Sequence, residues 1–194
     1  VSSWVRTSTS ARTVGTDAAA AVQAARTPPG GTATLILPAD CAWNEGAETG
    51  VSLAPPPRAR VAVETIRTIA KVLRSGQPSM LVLSGAALGE SGLLAANRIA
   101  HATGAKLRTP TQIPHMARGR GRVPVDRIPY VVDAALKVLE GTKHLVLVGA
   151  KAPVGFFAYP GRPSTLWPED CAVHELAAVG EDIVGPYEEQ AQPK

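Results

Sequence analysis

Two short stretches carry the residue types best suited to binding chemistry. Ser84-Gly85-Ala86-Ala87 follows the apolar run Met80-Leu81-Val82-Leu83, and Gly149-Ala150-Lys151 follows His144-Leu145-Val146-Leu147-Val148. In open parallel sheets, ligands bind beyond the carboxyl ends of strands, where backbone N–H groups and helix N-termini face the ligand. Small residues there let the backbone approach a diphosphate or an adenosine, and they equally serve tight packing of strand against helix. Ser84, Gly85, Ala86, Gly149, Ala150 and Lys151 are therefore the cofactor-binding candidates, with packing as the alternative. No GxGxxG fingerprint accompanies them.

The other reactive side chains form no complete catalytic set. His101, His115, His144 and His174 fall in different elements, without HEXXH or GxSxG spacing. Glu169-Asp170 and Glu188-Glu189 read as surface or tail pairs. Cys41 and Cys171 show no metal-ligand spacing, and two lone thiols suit a reducing cytosol. No catalytic residue and no metal ligand is assigned. Arg118-Gly119-Arg120-Gly121-Arg122 could be a solvated loop, a subunit contact or a phosphate site. With no aromatic interleaved, nucleic acid is the least favoured partner.

These candidates need elements to position them. The 194 residues, 45% hydrophobic and 4% aromatic, suffice for one good-sized domain or one domain and part of another. No apolar run approaches the ~18 residues of a membrane helix. The chain opens at Val1 without a signal-like segment, as a processed protein or a fragment would. Its net charge of +4 is uneven: residues 104–130 hold six basic side chains and one acidic, residues 131–194 five and nine.

Thr16-Asp17 before the Ala-rich run Ala18–Arg26 predicts a helix with its N-cap, followed by a Pro/Gly turn and a buried-type strand at Thr32–Leu37. One such unit over residues 1–43 cannot cover both faces of its strand and needs further protein to rest on. Residues 44–60, with the triplet Pro55-Pro56-Pro57, read as a semi-rigid linker. From residue 61 to 180, strands alternate with helices. This pattern predicts an α/β domain, a Rossmann-like parallel sheet with helices on both faces, preceded by the partial α/β unit. Leu81, Val82, Leu83, Leu145, Val146 and Leu147 should be buried in neighbouring or near-neighbouring strands. Residues 181–194 read as a tail.

The order of motifs resembles thiamine diphosphate-dependent enzymes of the acetolactate synthase type, specifically their large, catalytic subunit. Thr27 to Asp40 (TPPGGTATLILPAD) is similar to the end of that family's pyrimidine-binding domain, with its GRPGPV turn and LP-D ending. Val82 to Gly92 (VLSGAALGESG) stands where the central domain has an apolar strand and a Gly-rich loop, and His144 to Lys151 (HLVLVGAK) where it has a strand and a GAR turn. The resemblance implies a three-domain enzyme that adds the cofactor's ylide to a 2-oxo acid, releases carbon dioxide and passes the remainder to an acceptor or a proton. It also implies thiamine diphosphate with Mg2+, the remaining domains as partners, a cytoplasmic homo-oligomer, and no nucleic-acid or membrane partner. The family's activating glutamate and its GDG…N motif are not among these residues, so this chain alone should be inactive. FAD is the family's central-domain cofactor. Here Ser84 and Ala86 replace two loop glycines, and Gly149-Ala150-Lys151-Ala152-Pro153 replaces GARFD. Binding of FAD by this chain is expected to be weak or absent. The apolar, aromatic run Ala152–Ser164 suits an interface or a substrate entrance. An independent nucleotide-binding Rossmann-like domain and a non-enzymatic assembly module are the competing readings.

Overall fold

The computed structural model describes residues 1–183. Most of the tail expected over 181–194, including Glu188-Glu189, lies outside the described residues. The chain divides into two compact units, Val1–Arg58 and Ala59 onward.

The first unit pairs β1 (Trp4–Thr7) in parallel with β2 (Ala33–Ile36), joined through α1 (Val14–Arg26) and followed by the short α2 (Ala39–Trp43). The helix does not start after Thr16-Asp17 as the sequence suggests. It starts at Val14, and Asp17 sits inside the first turn. Its carboxylate accepts hydrogen bonds from Ser8 Oγ at 2.9 Å and from Arg6 at 3.0 Å, tying helix to strand instead of capping. The Ser8 bond, helped by Arg6, holds the Asp17 pKa below the ordinary carboxylate value against the opposing effect of burial. Residues 44–58 lie on this same unit. Gln23 Nε2 donates to the Ala54 carbonyl at 2.9 Å, and a Cβ on Gly15 would stand 1.9 Å from the Glu48 carbonyl oxygen. Only glycine permits that approach.

Ala59 onward forms the second unit. Its elements are β3 (Ala59–Arg60), α3 (Val63–Leu73), β4 (Ser79–Leu83), α4 (Glu90–Thr103), β5 (Lys106–Thr109), β6 (Asp126–Arg127), α5 (Val132–Leu139), β7 (His144–Val148), β8 (Ala172–Ala177) and β9 (Glu181–Asp182). Five strands make one sheet in the order β6-β5-β4-β7-β8, parallel throughout. The pair β3–β9 is separate.

Strand periodicity divides the core. Leu81, Leu83, Val146 and Val148 face α3 and α4, where Ile69, Leu73, Leu93 and Ala96 meet them. Met80, Val82, Leu145 and Leu147 face the other way, onto Val132, Ala135 and Leu139 of α5 and onto Leu166. The register Met80↔Leu145 and Leu81↔Val146 keeps both sets aligned. Near-continuous apolar strands are what a sheet covered on both faces requires. The α/β class and the two-faced sheet read from the sequence are present.

Candidate functional site

Strand order reverses between β4 and β7. β5 and β6 extend the sheet on one side of β4, and β7 and β8 on the other. This is a topological switch point, where parallel sheets open a crevice at the strand carboxyl ends. A cleft of about 410 Å³ lies elsewhere, between helices, whereas the crevice at the switch point measures about 330 Å³.

Four of the six candidates, Ser84, Gly149, Ala150 and Lys151, line that crevice. The Ser84 N–H donates to the Val148 carbonyl at 3.0 Å, joining the ends of β4 and β7, and the Gly149 N–H donates to the Ala177 carbonyl at 2.8 Å, joining β7 to β8. Gly149 has φ +61°, and a Cβ there would lie 3.0 Å from the Ser84 carbonyl oxygen and 2.4 Å from Ile183 Cδ1. Its smallness thus serves close packing of the two turns. Gly85 and Ala86 do not line the crevice. They begin a short 3₁₀ turn, Gly85–Leu88, whose Ala87 and Leu88 are buried against α4. Gly92 makes that contact possible, since a Cβ on it would come within 2.7 Å of the Ala87 carbonyl oxygen.

On the opposite wall the sequence singled out the run Ala152–Ser164, which supplies Phe156, and missed the rest. Thr111, Gln112, Ile128 and Tyr130 from the irregular stretch before α5, with Phe156, complete the crevice. Thr111 Oγ1 donates to the Ile128 carbonyl at 2.8 Å, fixing this stretch on the end of β5. Tyr130 and Phe156 stand with ring centroids 6.0 Å apart, and Phe156, Phe157 and Tyr159 continue edge-to-face. Burial, followed by the neighbouring Tyr159 hydroxyl, raises the Tyr130 phenol pKa, so it stays a neutral donor. The aromatic cluster in residues 156–159, of a chain otherwise poor in aromatics, was the part of this wall that the sequence signalled. The crevice can enclose a flat or apolar group between aromatic and aliphatic walls, with Lys151 as its cation.

Such a wall does not suit a flavin dinucleotide's diphosphate. The β4–α4 turn is filled by its own side chains, and Glu90 occupies the first turn of α4, where the helix dipole would favour a phosphate. Arg122 pairs with Glu90 at 2.9 Å, so one arginine of the basic loop serves this carboxylate. Lys151 is a point charge without the fork of arginine.

Elsewhere one pair of reactive side chains comes together. His144 Nδ1 and His174 Nε2 lie 3.1 Å apart on β7 and β8, half-buried, and burial with the neighbouring ring lowers the His174 pKa. No group of three or more metal-ligating side chains occurs among the described residues. Cys41 and Cys171 are free and buried, in different units, and burial raises both thiol pKa values. No helix among the described residues is long and apolar enough to cross a membrane.

Comparison with known proteins agrees with this architecture. No family profile matches the chain. A Mycobacterium tuberculosis protein provisionally named acetolactate synthase large subunit IlvX is 46% identical over 180 residues, 93% of this chain. The chain spans about a third (34%) of that relative's length. Two solved structures share the fold. A Mycobacterium smegmatis protein provisionally described as a thiamin diphosphate-dependent enzyme matches with TM-score 0.71 and 20% identity, over 97% of this chain and 38% of that one. The thiamine diphosphate-dependent 4-hydroxybenzoylformate decarboxylase of Rhodococcus jostii RHA1 matches with TM-score 0.70 and 17% identity, over 100% and 40%.

Proposed function

We propose, from the premise that the chain matches an acetolactate synthase-type large subunit in sequence and thiamine diphosphate-dependent enzymes in fold, that it forms the closing part of a pyrimidine-binding domain and the central domain of such an enzyme. The single observation carrying this reading is the 46% identity that runs over 180 residues and therefore through both units. The whole enzyme decarboxylates a 2-oxo acid and transfers the remainder to an acceptor or a proton. Thiamine diphosphate, held with Mg2+ by residues of other domains, supplies the ylide and the electron sink.

This chain's own residues act as scaffold and wall. β4 and β7 hold the Ser84 and Gly149 turns, and Tyr130 and Phe156 line the crevice, with Lys151 as the cation beside it. Lys151 is the residue suited to meet a carboxylate or phosphate entering there. FAD has no part in this reading, because Glu90 in the first turn of α4 disfavours a diphosphate there and Ala87 and Leu88 fill the preceding turn with their own side chains. The exposed apolar side chains of the first unit fit a unit whose remaining domain lies elsewhere in the enzyme, and two free thiols support a cytoplasmic location.

The test is to express the open reading frame extended in both directions and measure carbon dioxide release from a panel of 2-oxo acids, with and without thiamine diphosphate and Mg2+. Cofactor-dependent release by colourless protein is expected. Release that ignores thiamine diphosphate, or no release from a chain carrying both the glutamate and the GDG…N segment, overturns the reading.

A further inference from the structure

A second cavity, lined mostly by aliphatic side chains, lies between α3 and α4 on the side of the sheet away from α5. Its volume is about 410 Å³. Ile66 and Ala70 of α3, Ile99 and Ala102 of α4, and Leu176 and Ile183 line it. Two arginines also line it, Arg74 and Arg98. Both helices lead into parallel strands, so they run in the same direction and finish at the same end of the sheet. Arg74 closes α3, and Arg98 lies in the second half of α4, so both cations line the half of the groove toward the helix C-termini. Neither arginine has an ion-pair partner among the described residues, unlike Arg67, Arg108, Arg122 and Arg162, each of which meets a carboxylate. An apolar trough that ends in two unpaired guanidinium groups has the polarity of an amphiphile with one anionic head.

We infer that the α3–α4 groove binds a free straight-chain aliphatic carboxylate, its tail along Ile66, Ala70 and Ile99 and its head between Arg74 and Arg98. This site is separate from the switch-point crevice and does not rest on the thiamine-enzyme reading. Tail burial sets the chain-length dependence, since each methylene taken from water is worth about fourfold in affinity. Head recognition sets the charge dependence, since losing charge-assisted hydrogen bonds lowers affinity by about tenfold or more.

The 194-residue chain is titrated calorimetrically with hexanoate through dodecanoate below their micellar concentrations, and with the matching primary alcohols. Affinity is expected to rise about fourfold per methylene until the groove is filled, with carboxylates ahead of alcohols. The double variant Arg74→Gln/Arg98→Gln should weaken carboxylates about tenfold and leave alcohols unchanged. Both positions are exposed, so the fold should survive, as circular dichroism would verify. Ala70→Trp should block both ligand series, while Lys151→Gln, at the other cavity, should change neither. Equal affinity for alcohol and carboxylate, no dependence on chain length, or unaltered binding by Ala70→Trp overturns the proposal. So does association with anionic phosphatidylglycerol vesicles in the absence of any binding to the monomeric acids.

Discussion

Both units contain parallel strands, yet they treat them in opposite ways. In the second unit Met80, Leu81, Val82, Leu145 and Val146 are fully buried, because helices cover both faces of the sheet. In the first unit Val5, Ile36 and Leu37 stay about half exposed and Trp43 almost wholly so, while the buried side chains include the polar Ser8 and Asp17. One helix beside two strands leaves a face uncovered, and parallel sheets are stable when both faces are covered. The second unit is therefore held by apolar burial. The first leans on a local polar cluster and on close backbone contact.

Truncations at equivalent strand positions would break this comparison most directly. Leu145→Ala, in the centre of the five-stranded sheet, should cost about 2–5 kcal/mol. Ile36→Ala, on the exposed pair, should fall within about 0.5 kcal/mol. Chemical denaturation followed by circular dichroism measures both, and equal costs would erase the distinction between the units.

A smaller effect is expected where the two strand ends meet. Gly149→Ala places a side chain at φ +61° and brings Cβ to 3.0 Å from the Ser84 carbonyl oxygen. The backbone penalty alone is about 1–2 kcal/mol, and the Ile183 side chain must also shift. The variant's melting temperature should fall, whereas Gly85→Ala, with nothing within 4 Å of its added Cβ, should show only the conformational part.

Acid sharpens the comparison with the least energy involved. Asp17 has a lowered pKa in the folded first unit. Its contribution is present above the unfolded-state value near 3.9 and is lost as pH falls through the lower folded value. His174 in the second unit also has a lowered pKa. The unfolded chain then binds the proton more readily, so this penalty begins as pH drops below about 6.5. Stability curves of the wild type and of His174→Phe should part in the histidine range. Those of the wild type and Asp17→Asn should converge only at strongly acid pH. Parallel curves throughout would remove either group from the account.

The same contrast explains what could be read in advance. β4 and β7 were legible because strands covered on both faces must be apolar at every position, and few other elements of this length are. β1 was not, because Trp4-Val5-Arg6-Thr7 is an exposed pair member with a single aliphatic residue. β6 is only Asp126-Arg127, recognisable through its pairing with β5 and through no property of its own. Asp17 resembled a cap because carboxylates favour both the cap and the first turn, and only the position of Ser8 and Arg6 decides between them. At the crevice, the strand ends were legible from their small residues. The aromatic wall comes from irregular backbone, which no periodicity marks.

The two thiols turn this division into something that can be timed. Each unit holds one cysteine, Cys41 in the first and Cys171 in the second, each screened from solvent and each disinclined to ionise. Alkylation of either must wait for its own surroundings to open, because a shielded thiol reacts only when exposed as a thiolate. A single labelling experiment, resolved by peptide mass, thus reads two independent clocks along one polypeptide. The clock in the sparsely covered unit should run faster.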